Sequence, residues 1–295
     1  MTPRDQRLYL VLLAPVILVL LLFIAAPICQ SVFLSFHRDI IALPQLKNPF
    51  VGLDNFVELL RDPVARHSFW ITAIFVATTT FFELLIGLLI ALLINHRFPG
   101  RGMLRACVLI PWAIPTVVSA QMWRFLFNDV YGMINYVIFG AESTSYIPWL
   151  ALPGSALCAI IIADIWKTSS FAALLILAGL QLIPDELYRA AKVDGAGAWR
   201  RFRHITWPLI RPALLVALLF RTIDAFRVFD LAFVMTQGGP ADATNVLQLY
   251  GYKKMFVEGW MGYGSAISVS VFLIVLLLAI IYLRTVGRRL LEARA

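Results

Sequence analysis

The sequence predicts an all-α integral membrane protein with six transmembrane helices and both termini in the cytoplasm. Three observations carry that expectation. Of 295 residues, 61% are hydrophobic and only 14% are charged, and the mean hydropathy is +0.83. A soluble domain, at about 25% charge, clothes itself in polar groups that this chain lacks. The apolar residues fall in six stretches, 8–36, 69–95, 104–127, 153–180, 207–235 and 262–286, each long enough to cross a hydrocarbon core of ~30 Å. Six crossings then place Arg4, Arg7, Arg97, Arg101, Arg105, Arg189, Lys192, Arg200, Arg201, Arg203, Arg211, Arg284, Arg288, Arg289 and Arg294 on one side, against Arg38, Lys47, Arg61, Arg66, Lys253 and Lys254 on the other. Cytoplasmic loops carry the excess of Lys and Arg, so the first side is cytoplasmic. The net charge of +8 is therefore a topology signal. Nucleic acid is not an expected partner, because no basic run is interleaved with stacking aromatics.

The first stretch is too long for the apolar core of a signal peptide. Ile28 also stands where a lipoprotein cleavage site needs a small residue before Cys29. It reads as an uncleaved helix, kinked or ended near Pro27. The third stretch has Pro111 and Pro115 four apart, which bends a helix by removing backbone donors. None of the stretches alternates with period two, so the pattern is not the one expected of a β-barrel. Outer connections at 37–68, 128–152 and 236–261 are short, with room for small capping helices, and Gly238-Gly239-Pro240 marks a turn. Cys29, Cys107 and Cys158 are scattered in apolar segments and suggest neither a disulfide framework nor a metal site. The whole chain, 1–295, reads as a single transmembrane domain carrying one long cytoplasmic loop, 181–208.

That loop contains Pro184-Asp185-Glu186-Leu187-Tyr188-Arg189-Ala190-Ala191-Lys192-Val193-Asp194-Gly195. Pro184 suits a helix start. Asp185 and Glu186 complement the positive end of the dipole, and Gly195 suits the left-handed residue past the helix end. The three-and-four spacing puts Leu187, Ala190, Ala191 and Asp194 on one face, with two alanines that let another surface come close. A second short helix follows through Trp199 and Phe202 until Pro208 opens the fifth span. The face suits either the membrane surface or a soluble partner.

Ala190-Ala191, Gly195, Ile205 and Pro208 resemble the EAA loop of permeases in binding-protein-dependent ABC importers, with Arg189 at the usual Glu and Trp207 at the usual Leu. Met122-Trp123-Arg124-Phe125-Leu126-Phe127-Asn128, Asp164-Ile165-Trp166-Lys167-Thr168, Thr236-Gln237-Gly238-Gly239-Pro240 and Phe220-Arg221-Thr222-Ile223-Asp224-Ala225-Phe226-Arg227 are similar to the first permease of the maltose- and trehalose-type carbohydrate group. The resemblance implies a type I importer bundle in the bacterial inner membrane. Its coupling helix, with Leu187, Arg189, Ala190, Ala191, Asp194 and Gly195, would dock on a cytoplasmic ATPase. The implied partners are a second homologous permease, two ABC ATPases and an extracytoplasmic sugar-binding protein. ATP and Mg would belong to the ATPases, with no cofactor on this chain. In agreement, the sequence has no Gly-x-x-x-x-Gly-Lys-Ser/Thr phosphate loop.

Eight charges fall inside the spans, away from their basic ends: Glu83, Arg124, Asp164, Lys167, Arg221, Asp224, Arg227 and Asp230. Each costs about 2.5–3.5 kcal/mol at a helix centre, so they must face one another, a cavity or the interface. Asp164 and Asp224 both fall about 16 Å below the outer face at 1.5 Å per residue. Asp164 with Lys167, and Arg221 with Asp224, are three apart and able to pair. Such pairs can hold helices together. They can also bind a sugar, with Asp164, Lys167, Thr168, Arg221 and Asp224 as hydroxyl partners and Trp166 and Phe171 as a wall. In maltose-type relatives the substrate contacts come from the helices before and after the EAA loop. That implies Asp164, Lys167, Thr168, Phe171, Arg221 and Asp224 here. The alternatives are an ion-driven secondary transporter using Asp164, Asp224 or Glu83, and an importer of another polar solute such as glycerol phosphate. An enzyme is disfavoured, because His37, His67, His96 and His204 form no ligand pair and no nucleophile adjoins a base.

Overall fold

A computed structural model describes residues 3–43, 45, 48–96, 98–140 and 145–292, with the backbone alone over 3–11 and 285–292. Lys47, Arg97 and Arg294 of the charge argument lie outside the described residues, and Arg4, Arg7, Arg288 and Arg289 are described by backbone only. The described residues are helical, with isolated bridges His37–Phe50 and Ile40–Trp260 and no sheet. The helices are α1 (Pro3–Leu20), α2 (Ala26–Ser35), α3 (Asp54–Arg61), α4 (Pro63–Asn95), α5 (Arg101–Ala113), α6 (Thr116–Leu126), α7 (Met133–Phe139), α8 (Pro153–Gln181), α9 (Asp185–Val193), α10 (Ala198–Arg201), α11 (Trp207–Phe226), α12 (Asp230–Met235), α13 (Leu247–Tyr252) and α14 (Met261–Glu292).

Among them Leu12–Ser35, Pro63–Asn95, Pro153–Gln181 and Met261–Arg284 are long and apolar enough to cross a membrane. The sequence-derived third span is instead two helices, α5 and α6, meeting at 88°. Pro115 stands at the break and has no N–H to continue the ladder, whereas Pro111 is carried inside α5. The fifth stretch also departs from one straight span: α11 stops at Phe226 and α12 restarts at Asp230. Proline shapes two other places more gently. A π turn, Leu21–Ala25, joins α1 to α2 just before Pro27, with the Ala26 N–H on the Leu21 carbonyl. Another, Phe202–Thr206, joins α10 to α11 just before Pro208. In each, the i→i+5 bond absorbs the donor that proline withholds. The second loop helix is thus continuous with the fifth stretch rather than separated from it at Pro208.

The chain divides into two compact units. The first comprises Met1–Arg66 and Tyr250–Phe272. Its α1, the π turn and α2 expose Leu12, Val16, Leu20, Phe23 and Phe33, an apolar surface suited to lipid. Asn55, 2% exposed, closes the end of α2 by donating to the Ser35 and His37 carbonyls at 2.8 and 2.9 Å. At the start of α4, Asp62 accepts the Val64 N–H at 2.8 Å and the hydroxyls of Tyr250 and Tyr263, the latter at 2.6 Å. Burial pushes the Asp62 carboxyl up, but the bonds from Tyr250, Tyr263 and the backbone outweigh it and hold it below its usual range. Burial and the bond to Asp62 push the Tyr250 phenol up. A carboxylate lowered on folding stabilises above its unfolded value of about 3.9 and loses that stabilisation as pH falls through its folded value. In thermal melts of the purified protein, Asp62→Asn should therefore lower the melting temperature at pH 6, and the gap should close below about pH 4. A gap independent of pH would remove the carboxylate from the account.

The second unit, His67–Leu249 with Leu273–Ala295, holds the main core. Ala91 and Ile94 of α4, Ile176, Leu177 and Leu180 of α8, Ile183, and Ile210 and Ala217 of α11 are buried together. Lipid is as apolar as leucine, so close packing of small residues drives such contacts. A Cβ on Gly179 of α8 would lie 2.3 Å from the Cβ of Ala213 of α11. Glycine there lets the two helices carrying most of the charged candidates approach.

Candidate functional site

α8 begins with Pro153 at its first turn and runs 29 residues without an internal breaker. The spacings of three, four and seven set Asp164, Lys167, Thr168 and Phe171 on neighbouring turns of one side. α11 presents Arg221 and Asp224 in its last turns, and α4 presents Glu83. All of these lie within the second unit.

Arg221 is the hub. Its Nε donates to Glu83 Oε2 at 2.5 Å and its Nη2 to Glu83 Oε1 at 3.0 Å. Nη1 donates to Asp224 Oδ2 at 2.6 Å, and Nη2 lies 3.6 Å from Asp164 Oδ2. Thr168 Oγ1, at 2.6 Å from each, lies between Glu83 Oε1 and the Asp164 carbonyl. The Arg221 and Glu83 side chains are 2% and 0% exposed. A guanidinium fork matched to a carboxylate is the arrangement that offsets such burial best. Asp164 Oδ2 is buried with no hydrogen-bond partner among the described residues. Asp224 is the open member of the group, its side chain 69% exposed.

The structure therefore joins Asp164, Thr168, Arg221 and Asp224, and it forms the anticipated Arg221–Asp224 pair. Lys167 takes other partners than the anticipated Asp164. Its Nζ donates to the carbonyls of Trp112, at 3.3 Å, and Ile114. These carbonyls lie at the C-terminus of α5, where the break leaves them without helical donors. Phe171 stacks on Trp112 with ring centroids 5.5 Å apart and meets Phe220 edge-on at 6.5 Å. Trp112 and Phe220 are about half exposed. Trp166 packs edge-on against Trp123 at 5.6 Å. Arg124 donates to the Val234 carbonyl at 3.4 Å, Arg227 ends α11 and Asp230 opens α12, so these three serve helix ends. Glu83 stands outside the sugar-contact set that the sequence suggests and enters that reading only as a charge within the spans and a carrier for the ion-driven alternative, although it is the one acidic residue in the second stretch.

The loop residues gather on and after α9. Pro184, in extended conformation, precedes the helix, and Asp185 and Glu186 occupy its first turn. Gly195 ends it with φ +74°, while the Ala196 N–H closes on the Ala191 carbonyl at 2.8 Å. Tyr188 turns inward to Thr206, with hydroxyl oxygens 2.9 Å apart. Leu187, Arg189, Ala190, Asp194 and Gly195 are exposed, and Ala191 is half-buried. Arg189 donates to Glu186 at 3.0 Å, with both side chains more than 70% exposed. An open pair of this kind contributes only about 0–1 kcal/mol. The site thus has a buried charge hub with one open carboxylate, and a short helix whose Leu187, Ala190 and Asp194 are exposed.

Comparison with known proteins places these features in context. The family described as binding-protein-dependent transport system inner membrane component matches residues 83–294. The trehalose/maltose transport system permease protein MalF of Thermococcus litoralis is 44% identical over 285 residues, 97% of this chain and 95% of that protein. The sulfoquinovosyl glycerol transport system permease protein SmoG of Agrobacterium fabrum is 39% identical over 284 residues, 96% of this chain and 91% of its own length. A bacterial alginate ABC transporter, solved in complex with an alginate pentasaccharide-bound periplasmic protein, has a chain of the same fold. The TM-score is 0.82 at 23% identity, covering 97% of this chain and 95% of that one.

Proposed function

This chain belongs to the family of binding-protein-dependent transport system inner membrane components, and from that premise we propose that it is the sugar-translocating permease of an ATP-driven importer. The observation that carries the reading is α9. It is a short helix with its own start and stop, it carries the Ala190-Ala191…Gly195 spacing, and its Leu187–Asp194 face is largely open. In this reading the chain makes six crossings with both termini in the cytoplasm, and 1–295 works as one transmembrane domain. α9 docks on one of two ATPases, which hold the Mg and ATP, and a second, similar permease completes the path. Closure of the ATPases rocks the bundle between inward and outward states, and a sugar-binding protein outside the membrane delivers the substrate.

The hub gives the substrate its chemistry. Asp224 projects a carboxylate for sugar hydroxyls, and the Trp112–Phe171–Phe220 row offers π faces to sugar C–H groups. Asp164, Lys167, Thr168 and Arg221 complete the polar wall. Glu83, Asp164 and Asp224 oppose Arg221 and Lys167, and the latter is engaged by carbonyls. An anionic solute such as a sulfonate or a glycerol phosphate would meet surplus carboxylate. A neutral disaccharide of the trehalose or maltose type, as named for the 44% identical relative, suits the balance.

A tagged pull-down from detergent-solubilised membranes, followed by ATPase assays with trehalose, maltose and the binding protein, tests the reading. Co-purification of an ATPase and a second permease, with hydrolysis raised by one sugar, is expected. A chain that purifies alone and transports on an ion gradient overturns it. In the same assay Asp224→Ala should reduce sugar-stimulated hydrolysis at least about tenfold while the complex still assembles, since the buried Arg221 keeps its two bonds to Glu83 and the Asp224 side chain is itself 69% exposed. Failure of assembly instead would make the carboxylate structural.

A further inference from the structure

One turn of α8 touches two different features. Thr168 and Asp164 contact the Glu83–Arg221 hub. Lys167, between them in sequence and 7% exposed, contacts the break between α5 and α6. One turn further on, Phe171 stacks on the Trp112 ring at 5.5 Å with planes 16° apart. Trp112 is thus held by its carbonyl and by its side chain from successive turns of α8.

The Trp112 and Ile114 carbonyls are what a straight helix would consume. In a continuous α5–α6 they would accept the N–H groups of Thr116 and Val118. At the 88° break they have lost those donors, and a backbone acceptor within a membrane-spanning region needs another donor in their place. The C-terminal end of α5 also carries the negative pole of its dipole, which favours a cation. Lys167 supplies both donor and charge. Without it, the backbone regains its hydrogen bonds by closing toward a straight helix.

We propose that Lys167 is a positioning residue that latches the α5–α6 break, so that the helical turn bearing the hub also sets the angle of the neighbouring broken helix. The latch itself follows from the geometry. Its use as a gate for sugar rests on the transport reading above. The competing explanation for the bend is Pro115 alone, and the two part on substitution.

The test is a distance measurement by double electron–electron resonance on the full transporter in nanodiscs, without ATP or sugar. Cys29, Cys107 and Cys158 are replaced by Ser, and spin labels are attached at Met103→Cys and Phe125→Cys, both exposed positions on the two arms. At 1.5 Å per residue a right-angle break sets these sites about 23 Å apart, and a straight helix about 33 Å. Lys167→Met should move population toward the longer distance. Lys167→Arg, which keeps cation and donors, should restore the shorter one, and Pro115→Ala should stay short because Lys167 is still in place. A short distance kept by Lys167→Met, or a long one in Pro115→Ala, overturns the latch. If Lys167→Met does not accumulate, Pro115→Ala alone decides. Neither ATPase activity nor sugar enters the readout, so its failure is distinct from failure of the transport reading, which the pull-down decides.

Discussion

Glu83→Ala is expected to be the most damaging single change in the second unit. Glu83 accepts two bonds from Arg221 and one from Thr168 and is fully buried. Truncation leaves a buried guanidinium whose remaining close partner is the exposed Asp224, with Asp164 at 3.6 Å. Breaking one side of a buried pair costs about 3–5 kcal/mol, because the other charge stays desolvated. Purified transporter should lose thermal stability sharply and elute in part as aggregate. Glu83→Gln keeps the shape and one accepting oxygen but loses the charge and the second acceptor, since its NH2 can only donate, so it should fall between. The double change Glu83→Leu with Arg221→Met removes both charges and should restore much of the stability lost by either truncation, as apolar replacement of a buried pair often does. That double variant should not transport, since the hub is then gone. A Glu83→Ala protein as heat-stable as the parent would show that water or lipid headgroups already reach Arg221.

Much of this hub was legible because charges are rare in apolar stretches. Asp164, Arg221 and Asp224 stand out on hydropathy grounds, and the three-residue spacing of Arg221 and Asp224 places them together. The link to Glu83 was not legible. It joins residues 138 apart in sequence, and no local spacing reports which of several intramembrane charges will meet across helices. Lys167 was misread for a related reason. Sequence spacing offered Asp164 as its partner, but the break at Pro115 creates acceptors that exist only once the chain is bent. The α9 loop was the opposite case. Its start, stop and left-handed Gly195 are local decisions, made by Pro184, the two acids and the glycine, and all appear as expected. The π turns before Pro27 and Pro208 fall between these cases. Proline announces a disturbance, but whether the helix breaks or inserts one residue depends on the packing around it.

Gly195→Pro should leave membrane insertion intact and abolish coupling, the second large effect. Gly195 has φ +74°, whereas proline holds φ near −65°. It also donates its N–H to the Lys192 carbonyl at 3.1 Å, a bond proline cannot make. The exit from α9 would have to rebuild, and with it the angle at which the Leu187–Asp194 face is presented. Nothing lies within 4 Å of the position a Cβ would take, so no core contact is lost and the cost stays in the loop. Gly195→Ala therefore isolates the backbone term, about 1–2 kcal/mol for a non-glycine residue in left-handed conformation, and should give partial coupling. We expect sugar uptake to fall at least about tenfold in the proline variant, with sugar-stimulated hydrolysis reduced toward the basal rate and the melting temperature close to the parent. The three readouts matter together. Lost uptake with a lowered melting temperature would describe a folding defect, while lost uptake at full stability is what a displaced docking helix produces. Normal uptake would mean that force passes between ATPase and permease without α9, which is the point on which the importer mechanism proposed for this chain depends.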